Sequence, residues 1–294
     1  MPEISLSAVQ RVVPPISLRR RITDHLMTGA AVLTVILVLA PLIAIFSYLV
    51  YRGIGSINWA FLTQTPKPVG EVGGGMANAI VGSIFILAIA SVVGVPFGVG
   101  AGIFLAEYGR NRFGSIVRFT ADVLSGVPSI VIGIVAYAIV VLYQKHFSAL
   151  AGGVALAIMM VPTISRTTEE MLLLVPQALR EAAYGLGVPR WRTTLSITLR
   201  TATSGVITGI MLAFARVAGE TAPLLFTSLG NDFWNLRLNQ PTAALPLQIY
   251  TYANSPYDDW HRQAWAGSFV LILLIVTSVA AVRYVVRRGT FGAS

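Results

Sequence analysis

The sequence predicts an all-α integral membrane protein with six transmembrane helices. Charged residues make up 11% of the 294 residues and hydrophobic residues 55%, whereas globular chains carry about 25% charged residues. The mean hydropathy is +0.74, and membrane helices tolerate the 27 glycines and 15 prolines better than soluble helices do. This composition excludes an ordinary soluble protein.

Six apolar stretches are long enough to cross a hydrocarbon core of ~30 Å, which takes about 20 helical residues. The predicted spans cover residues 26–51, 76–105, 116–142, 150–174, 201–229 and 264–284. Residues 1–25 are predicted to form a cytoplasmic tail, and residues 26–294 the membrane domain. The first span is not a signal peptide, because its apolar run is too long and no small-residue cleavage site follows it.

Glycines and prolines within the spans predict how the helices pack and bend. Small residues recur at a spacing of four in three spans: Gly94, Gly98 and Gly102, then Ser129 and Gly133, then Gly205 and Gly209. This spacing lets helix backbones approach closely, although glycine is also simply common in membrane helices. Prolines are expected to kink or interrupt their helices at four positions: Pro41, Pro96, Pro128 and Pro162.

The distribution of basic residues predicts the orientation. Fifteen lysines and arginines fall in the N-terminal tail, the second and fourth loops and the C-terminus, and five fall in the other loops. Short loops rich in Lys and Arg stay on the cytoplasmic side, so both termini are expected to face the cytoplasm. The net charge of +9 then reflects these loops and not a nucleic-acid partner.

Several classes of site are excluded or disfavoured by what the sequence lacks. There is no cysteine, so disulfides, thiol catalysis and cysteine-bound metals are excluded. The three histidines lie in different loops, which disfavours a metal or acid–base cluster. Neither lysine belongs to a Gly-Lys-Ser/Thr phosphate loop, so this chain is not expected to hydrolyse ATP or to be an enzyme.

The long fourth loop contains an amphipathic segment over residues 177–187. Its apolar residues recur at helical spacing, Gly187 can end the helix, and Pro189 cannot extend it. Such a helix either lies on the inner leaflet or protrudes as a knob for a soluble partner.

Two charged residues interrupt the apolar fifth span. A charge at the bilayer centre costs ~2.5–3.5 kcal/mol on insertion scales. The presence of Arg216 and Glu220 in an apolar span therefore indicates a structural or functional role. Being four apart, they are expected to share one helix face and to pair. They are either a static ion pair or part of a path for an oxyanion, because guanidinium binds phosphate in bidentate fashion at any physiological pH.

Several of these segments together resemble a known family. Residues 181–183 (EAA), followed by Gly187 and by Ile197 and Leu199, resemble the EAA loop of the membrane subunits of bacterial ABC importers with the type I, methionine-permease-like fold. Within that family the chain is similar to the phosphate permease subunits. The matching segments are residues 128–131 (PSIV), 166–170 (RTTEE), 180–183 (REAA), 189–193 (PRWRT) and 215–225 (ARVAGETAPLL).

The resemblance implies a set of partners in the bacterial inner membrane. The chain would form half of a permease heterodimer with PstC, would be driven by a homodimeric ATPase, PstB, and would receive phosphate from the binding protein PstS. ATP and Mg²⁺ would be used by PstB, and this chain would bind no cofactor and no metal.

The resemblance also implies two groups of site residues. The ATPase contact would contain Arg180, Glu181, Ala182, Ala183 and Gly187. The substrate path would contain Arg216, Glu220 and Thr221.

Alternatives to a phosphate permease stay open at this point. Another oxyanion, such as sulfate or molybdate, would use the same chemistry. An enzyme acting on phosphorylated lipids would require a His, Ser or carboxylate cluster, which the sequence does not display. A secondary transporter would usually show internal repeats and would not need a protruding cytoplasmic helix.

Overall fold

The protein is built of α-helices, as predicted, in a computed structural model that describes residues 17–291, with side chains up to Val286. Residues 1–16 of the predicted cytoplasmic tail lie outside the described residues. The helices are α1 (Leu18–Ile54), α2 (Trp59–Thr63), α3 (Ala77–Glu107), α4 (Arg112–Gly126), α5 (Ser129–Ala136), α6 (Leu142–Gln144), α7 (Ala149–Leu173), α8 (Gln177–Gly185), α9 (Arg190–Thr193), α10 (Leu199–Ala218), α11 (Ala222–Thr227), α12 (Leu245–Ala253) and α13 (Asp258–Phe291). Residues 17–291 form no β-strand.

Five helical segments are long and apolar enough to cross a membrane. They are Leu18–Ile54, Ala77–Glu107, Ala149–Leu173, Arg190–Ala218 and Asp258–Val286. A bent pair, Arg112–Gly126 and Ser129–Gln144, makes a sixth if it is counted as one span. The number of crossings is therefore five or six, in agreement with the predicted architecture.

The chain divides into two compact units, residues 1–50 and residues 51–294. The first contains most of α1, and the most apolar stretch of this helix has no buried residue. The apolar side chains of that stretch are therefore exposed in the part of the chain that the structure describes.

The centre of the second unit is the pair α3 and α7, which pack along a stripe of glycines. A Cβ atom added at Gly98 would lie only 2.7 Å from Cβ of Ile164, and one at Gly94 would lie 3.1 Å from Cβ of Met160. Gly102 faces Thr168 in the same way. These contacts confirm that the spacing of four in the second span predicts a close helix–helix contact.

Pro128 interrupts the third predicted span, whereas the other three prolines do not interrupt theirs. Helices α4 and α5 meet there at 108°, because proline lacks an N–H donor and restricts the residue before it to extended backbone. Val127 accordingly has φ −70° and ψ 133°. Helices α1, α3 and α7 continue through Pro41, Pro96 and Pro162.

The segment between α11 and α13 folds over the start of α7. The N–H groups of Ala149 and Leu150 donate to the carbonyl oxygens of Gln240 and Leu238, at 3.0 and 2.9 Å. These bonds satisfy donors that a helix N-terminus otherwise leaves unpaired. The segment between α11 and α13 therefore caps a core helix and does not merely connect two spans.

Tyr252 and Trp260 anchor this outer segment. Their rings stack with centroids 4.3 Å apart, and Tyr252 is buried. Burial raises the pKa of the Tyr252 phenol to about 12, because the ionised form would lose its hydration. The phenol therefore stays neutral over the physiological pH range.

Candidate functional site

The fifth span ends earlier than predicted, and this changes the geometry around Arg216. Helix α10 ends at Ala218, and α11 begins only at Ala222. Pro223 explains the break, since a proline in a continuous helix would clash with the carbonyl four residues earlier, at Gly219. Glu220 and Thr221 consequently lie in a short non-helical connection and not on the helix that carries Arg216.

The predicted ion pair between Arg216 and Glu220 is not formed. The side chains that the structure describes include no ion pair of either residue. Arg216 is exposed, and Glu220 and Thr221 are partly buried. The guanidinium in this span is therefore open to a group outside the chain.

Two backbone contacts hold the connection between α10 and α11. The N–H of Glu220 donates to the carbonyl oxygen of Val217 at 3.1 Å, which tightens the last turn of α10. The Thr221 hydroxyl donates to the carbonyl oxygen of Pro246 at 3.5 Å. The break is thus held to Pro246 in α12, and Arg216 lies in the last turn of α10 before it.

The amphipathic helix predicted in the fourth loop is α8, and its end is well defined. Gly187 has φ +78°. The N–H of Gly187 donates to the carbonyl oxygen of Tyr184 at 2.9 Å, and the N–H of Val188 donates to the carbonyl oxygen of Ala183 at 3.1 Å. This is the Schellman pattern, in which glycine takes the left-handed position because it has no Cβ. The prediction that Gly187 ends the helix is confirmed.

The residues expected at the ATPase contact do not all lie on one face of α8. Glu181, Ala182 and Gly187 are exposed, whereas Ala183 is buried. Arg180 points inward, where it donates to the carbonyl oxygen of Leu172 at 2.7 Å. Arg180 and Ala183 therefore face the neighbouring helices and hold α8 against them.

The inward face of α8 also carries an ion pair. Nη2 of Arg180 lies 3.1 Å from Oε1 of Glu107, and the two side chains are 16% and 10% exposed. Glu107 is the last residue of α3, so the pair joins α8 to the end of a central span. Two large apolar side chains beyond α8 are exposed: Leu186, which follows its last residue, is 84% exposed, and Trp191 in α9 is 57% exposed.

A second ion cluster was not predicted from the sequence. Glu169 in α7 accepts from Arg118 in α4 at 2.6 Å and from Arg166 at 3.2 Å. Arg166 also lies 2.9 Å from Asp122 in α4. The signal was available, because Arg166 and Glu169 are three apart in one helix.

The residues with described side chains contain no group of three or more His, Asp or Glu side chains that could hold a metal ion. The charged clusters instead pair arginines with carboxylates. The exposed groups described above suit two kinds of contact. The Arg216 guanidinium suits an anion, and the apolar side chains of Leu186 and Trp191 suit a docking surface.

Comparison with known families gives a match over most of the chain. Residues 98–290 match the family described as "Binding-protein-dependent transport system inner membrane component". Several curated relatives carry the name "Phosphate transport system permease protein PstA". The relative from Yersinia pestis is 47% identical over 258 residues, which cover 87% of this chain and 88% of the relative.

Two further relatives extend this similarity. The protein from Haemophilus influenzae is 46% identical over 259 residues, with 87% of this chain and 91% of the relative covered. The protein from Mycobacterium tuberculosis, "PstA 1", is 34% identical over 301 residues, with 98% and 97% covered.

Among solved structures, the chain is similar to the inward-facing MetNI methionine ABC transporter. The TM-score is 0.54 at 15% sequence identity, with 85% of this chain and 98% of that chain covered. Identity at this level supports the fold alone. The fold is that of a type I ABC importer permease, as the sequence predicted.

Proposed function

The chain belongs to the family of phosphate transport system permease proteins, PstA, and from this membership we propose that it is the membrane-spanning permease subunit of an ATP-driven importer of inorganic phosphate. It is a multi-pass inner-membrane protein. The phosphate named in its relatives favours this substrate over sulfate or molybdate. Both termini face the cytoplasm in this proposal, as the distribution of basic residues predicts.

The observation that carries the proposal is the exposed guanidinium of Arg216 at the end of a span, which forms no ion pair with the side chains that the structure describes. A charge within the hydrocarbon core is costly, so we infer that Arg216, two residues before the end of α10, faces water or another chain. An aqueous path between two permease subunits satisfies this condition. Its planar fork then offers two parallel hydrogen bonds to phosphate as the anion passes.

Glu220 and Thr221 complete the proposed path. They lie in the break that follows Arg216, where the backbone does not form the hydrogen bonds of a continuous helix. The Glu220 carboxylate accepts a hydrogen bond from a protonated phosphate and repels a fully ionised sulfate. Broken helices that line a polar path are a recurrent feature of transporters.

The proposed assembly contains three other kinds of subunit. PstC is the second permease subunit, PstB is the homodimeric ATPase that uses ATP and Mg²⁺, and PstS delivers phosphate. Helix α8 docks on PstB through Glu181, Ala182 and Gly187, next to the exposed Leu186 and Trp191. Arg180 and Ala183 act indirectly, because they fix α8 to α3 and α7.

The test is phosphate uptake per assembled complex in membranes that contain the Arg216→Ala variant. Because no ion pair joins Arg216 to Glu220, the variant is expected to fold and assemble normally. Uptake should fall by about 10- to 100-fold, the factor that corresponds to losing a charge-assisted hydrogen bond of ~1.5–3 kcal/mol. Arg216→Lys keeps the charge without the fork and should recover part of the uptake.

Two controls make this test specific. Arg112→Ala removes an exposed arginine at the start of α4 and should leave uptake unchanged. The double variant Arg216→Ala with Glu220→Ala should also fail to transport. Near-normal uptake by Arg216→Ala or by the double variant would contradict the proposed role of Arg216.

A further inference from the structure

A groove of about 540 Å³ runs between α10 and α13, on the side of α10 that faces away from the core. The residues of α10 that line it are spaced along one face of the helix: Ser204, Ile207, Thr208, Met211, Leu212 and Ala215. The core side of the same helix is different, since Val206, Ala213 and Val217 are buried there. The groove therefore opens on the side of α10 that faces away from this core.

Most of the groove wall is apolar. Ile207, Met211, Leu212 and Ala215 contribute aliphatic surface from α10, and Val279 contributes it from α13. From Ser204 to Ala215 the helix rises about 16 Å, which is close to one leaflet of a hydrocarbon core of ~30 Å. The length and the lining both suit one acyl chain.

One end of the groove is cationic. Arg283 lines it beside Ser204, and the ion pairs among the described side chains do not include Arg283. Arg200 is exposed four residues before Ser204, on the same face of the α10 segment one turn further out. A free anion would meet an apolar wall beyond these arginines, whereas an anionic lipid matches both parts.

The groove is separate from the proposed phosphate path. Arg216 does not line it, and successive residues of a helix differ in direction by about 100°. Arg216 thus points to a flank of α10, while Ala215 points into the groove.

We propose that this groove binds one anionic phospholipid, with an acyl chain between α10 and α13 and the phosphate group at Arg283. Basic sites between membrane helices near an interface recognise such headgroups. The site does not depend on which substrate the permease carries. The lipid would fill the space between two spans that the protein's own side chains leave open.

The experiment measures lipid retained by the assembled complex after purification in detergent that contains phosphatidylglycerol and phosphatidylethanolamine. We expect preferential retention of phosphatidylglycerol, at about one molecule for each copy of this chain. In Arg283→Gln the preference should fall about fivefold, the factor that corresponds to ~1 kcal/mol for one arginine near a headgroup. Thr208→Phe, which fills the middle of the groove without changing charge, should remove the bound lipid of either kind.

Controls separate this site from other sources of binding. Arg112→Gln removes an exposed arginine outside the groove and should retain lipid as the unmodified complex does. Inorganic phosphate in the buffer should not displace the lipid. A photo-activated cross-linker at Leu212 should attach to phospholipid. Unchanged lipid content in both Arg283→Gln and Thr208→Phe, or a cross-link from Leu212 to the second permease subunit, would overturn the proposal.

Discussion

Glu169 lies in α7 with 4% of its surface exposed and is the acceptor for two arginines. Arg118 extends the cluster, because its other nitrogens donate to the carbonyl oxygens of Leu105 and Gly109, both at 2.9 Å. One carboxylate thus connects α4 and α7, and its arginine partner reaches the end of α3. Removing it would leave Arg118 without its counter-charge, whereas Arg166 would keep Asp122 as a partner.

We therefore expect Glu169→Gln to destabilise the protein by about 1–3 kcal/mol, less than for a fully buried pair because both arginines are partly exposed. Glu170→Gln is the matched control, since Glu170 is the next residue in α7 and is exposed. The thermal stability and membrane abundance of the two variants would be compared. Equal loss in both variants would show that Glu169 has no special structural role.

At this scale the sequence indicates which residues carry chemistry but not which of them meet. Arg216 was recognisable because it interrupts an apolar stretch. Its pairing with Glu220 was wrongly predicted, because the break at Pro223 removes the helical spacing on which that prediction rested. Arg180 was recognised by its motif, yet a motif does not tell the inward face of a helix from the outward face.

At the scale of helices, α3 and α7 pack so closely that there is no room for a side chain at the glycines between them. Gly98 faces the side chain of Ile164, whereas a Cβ atom at Gly100 would meet no other atom within 4 Å. Gly98→Val should therefore force the helices apart and cost about 1–3 kcal/mol, as overpacking does. Gly100→Val should have little effect on packing.

The measurement for this pair is the thermal stability of the purified complex. Both variants add the same side chain to the same helix, so the intrinsic helix propensity changes equally. If both variants melted at the same temperature, the stripe of glycines would not be what sets the distance between α3 and α7.

Helix α8 gives a prediction about coupling. Glu181→Lys reverses an exposed charge and should weaken association with the ATPase while leaving membrane insertion intact. Gly187→Asp should act through the backbone, because its φ of +78° disfavours a side chain by about 1 kcal/mol. Arg180→Gln should instead loosen α8 from α3 and α7.

Co-purification of the ATPase and substrate-stimulated ATP hydrolysis would measure these effects. Protease sensitivity of the α8 loop should increase in Arg180→Gln but not in Glu181→Lys. Unaltered ATPase association in both Glu181→Lys and Gly187→Asp would remove the basis for placing the contact here.

For the molecule as a whole, the orientation in the membrane can be tested by reporter fusions. Fusions after Gln144 and within residues 230–263 should report a periplasmic position, and fusions after Arg110 and Arg180 a cytoplasmic one. The reason is the fifteen-to-five distribution of basic residues between the two sets of loops. A cytoplasmic reporter within residues 230–263 would contradict the proposed orientation.

The sequence predicts the helical membrane fold, but it does not predict where individual helices bend or end. Hydropathy identified the apolar stretches, since backbone groups in a bilayer must be satisfied within helices. The sharp bend at Pro128 could not be read from hydropathy, because apolar residues lie on both sides of it. The early end of α10 was missed although Gly219, Glu220 and Thr221 interrupt the apolar stretch there. The residue-level signals, Pro128 and Pro223, were present but do not state whether a helix kinks, breaks or continues, as Pro96 and Pro162 show.

The bend at Pro128 has a consequence for how the chain enters the membrane during synthesis. The arm Ser129–Gln144 rises about 24 Å, which is less than the ~30 Å that a straight crossing requires. Such an arm should be a poor insertion signal alone, and α7 begins only four residues after it. We therefore expect the arm to be inserted together with α4, as the second half of one bent span, and not through its own apolar length.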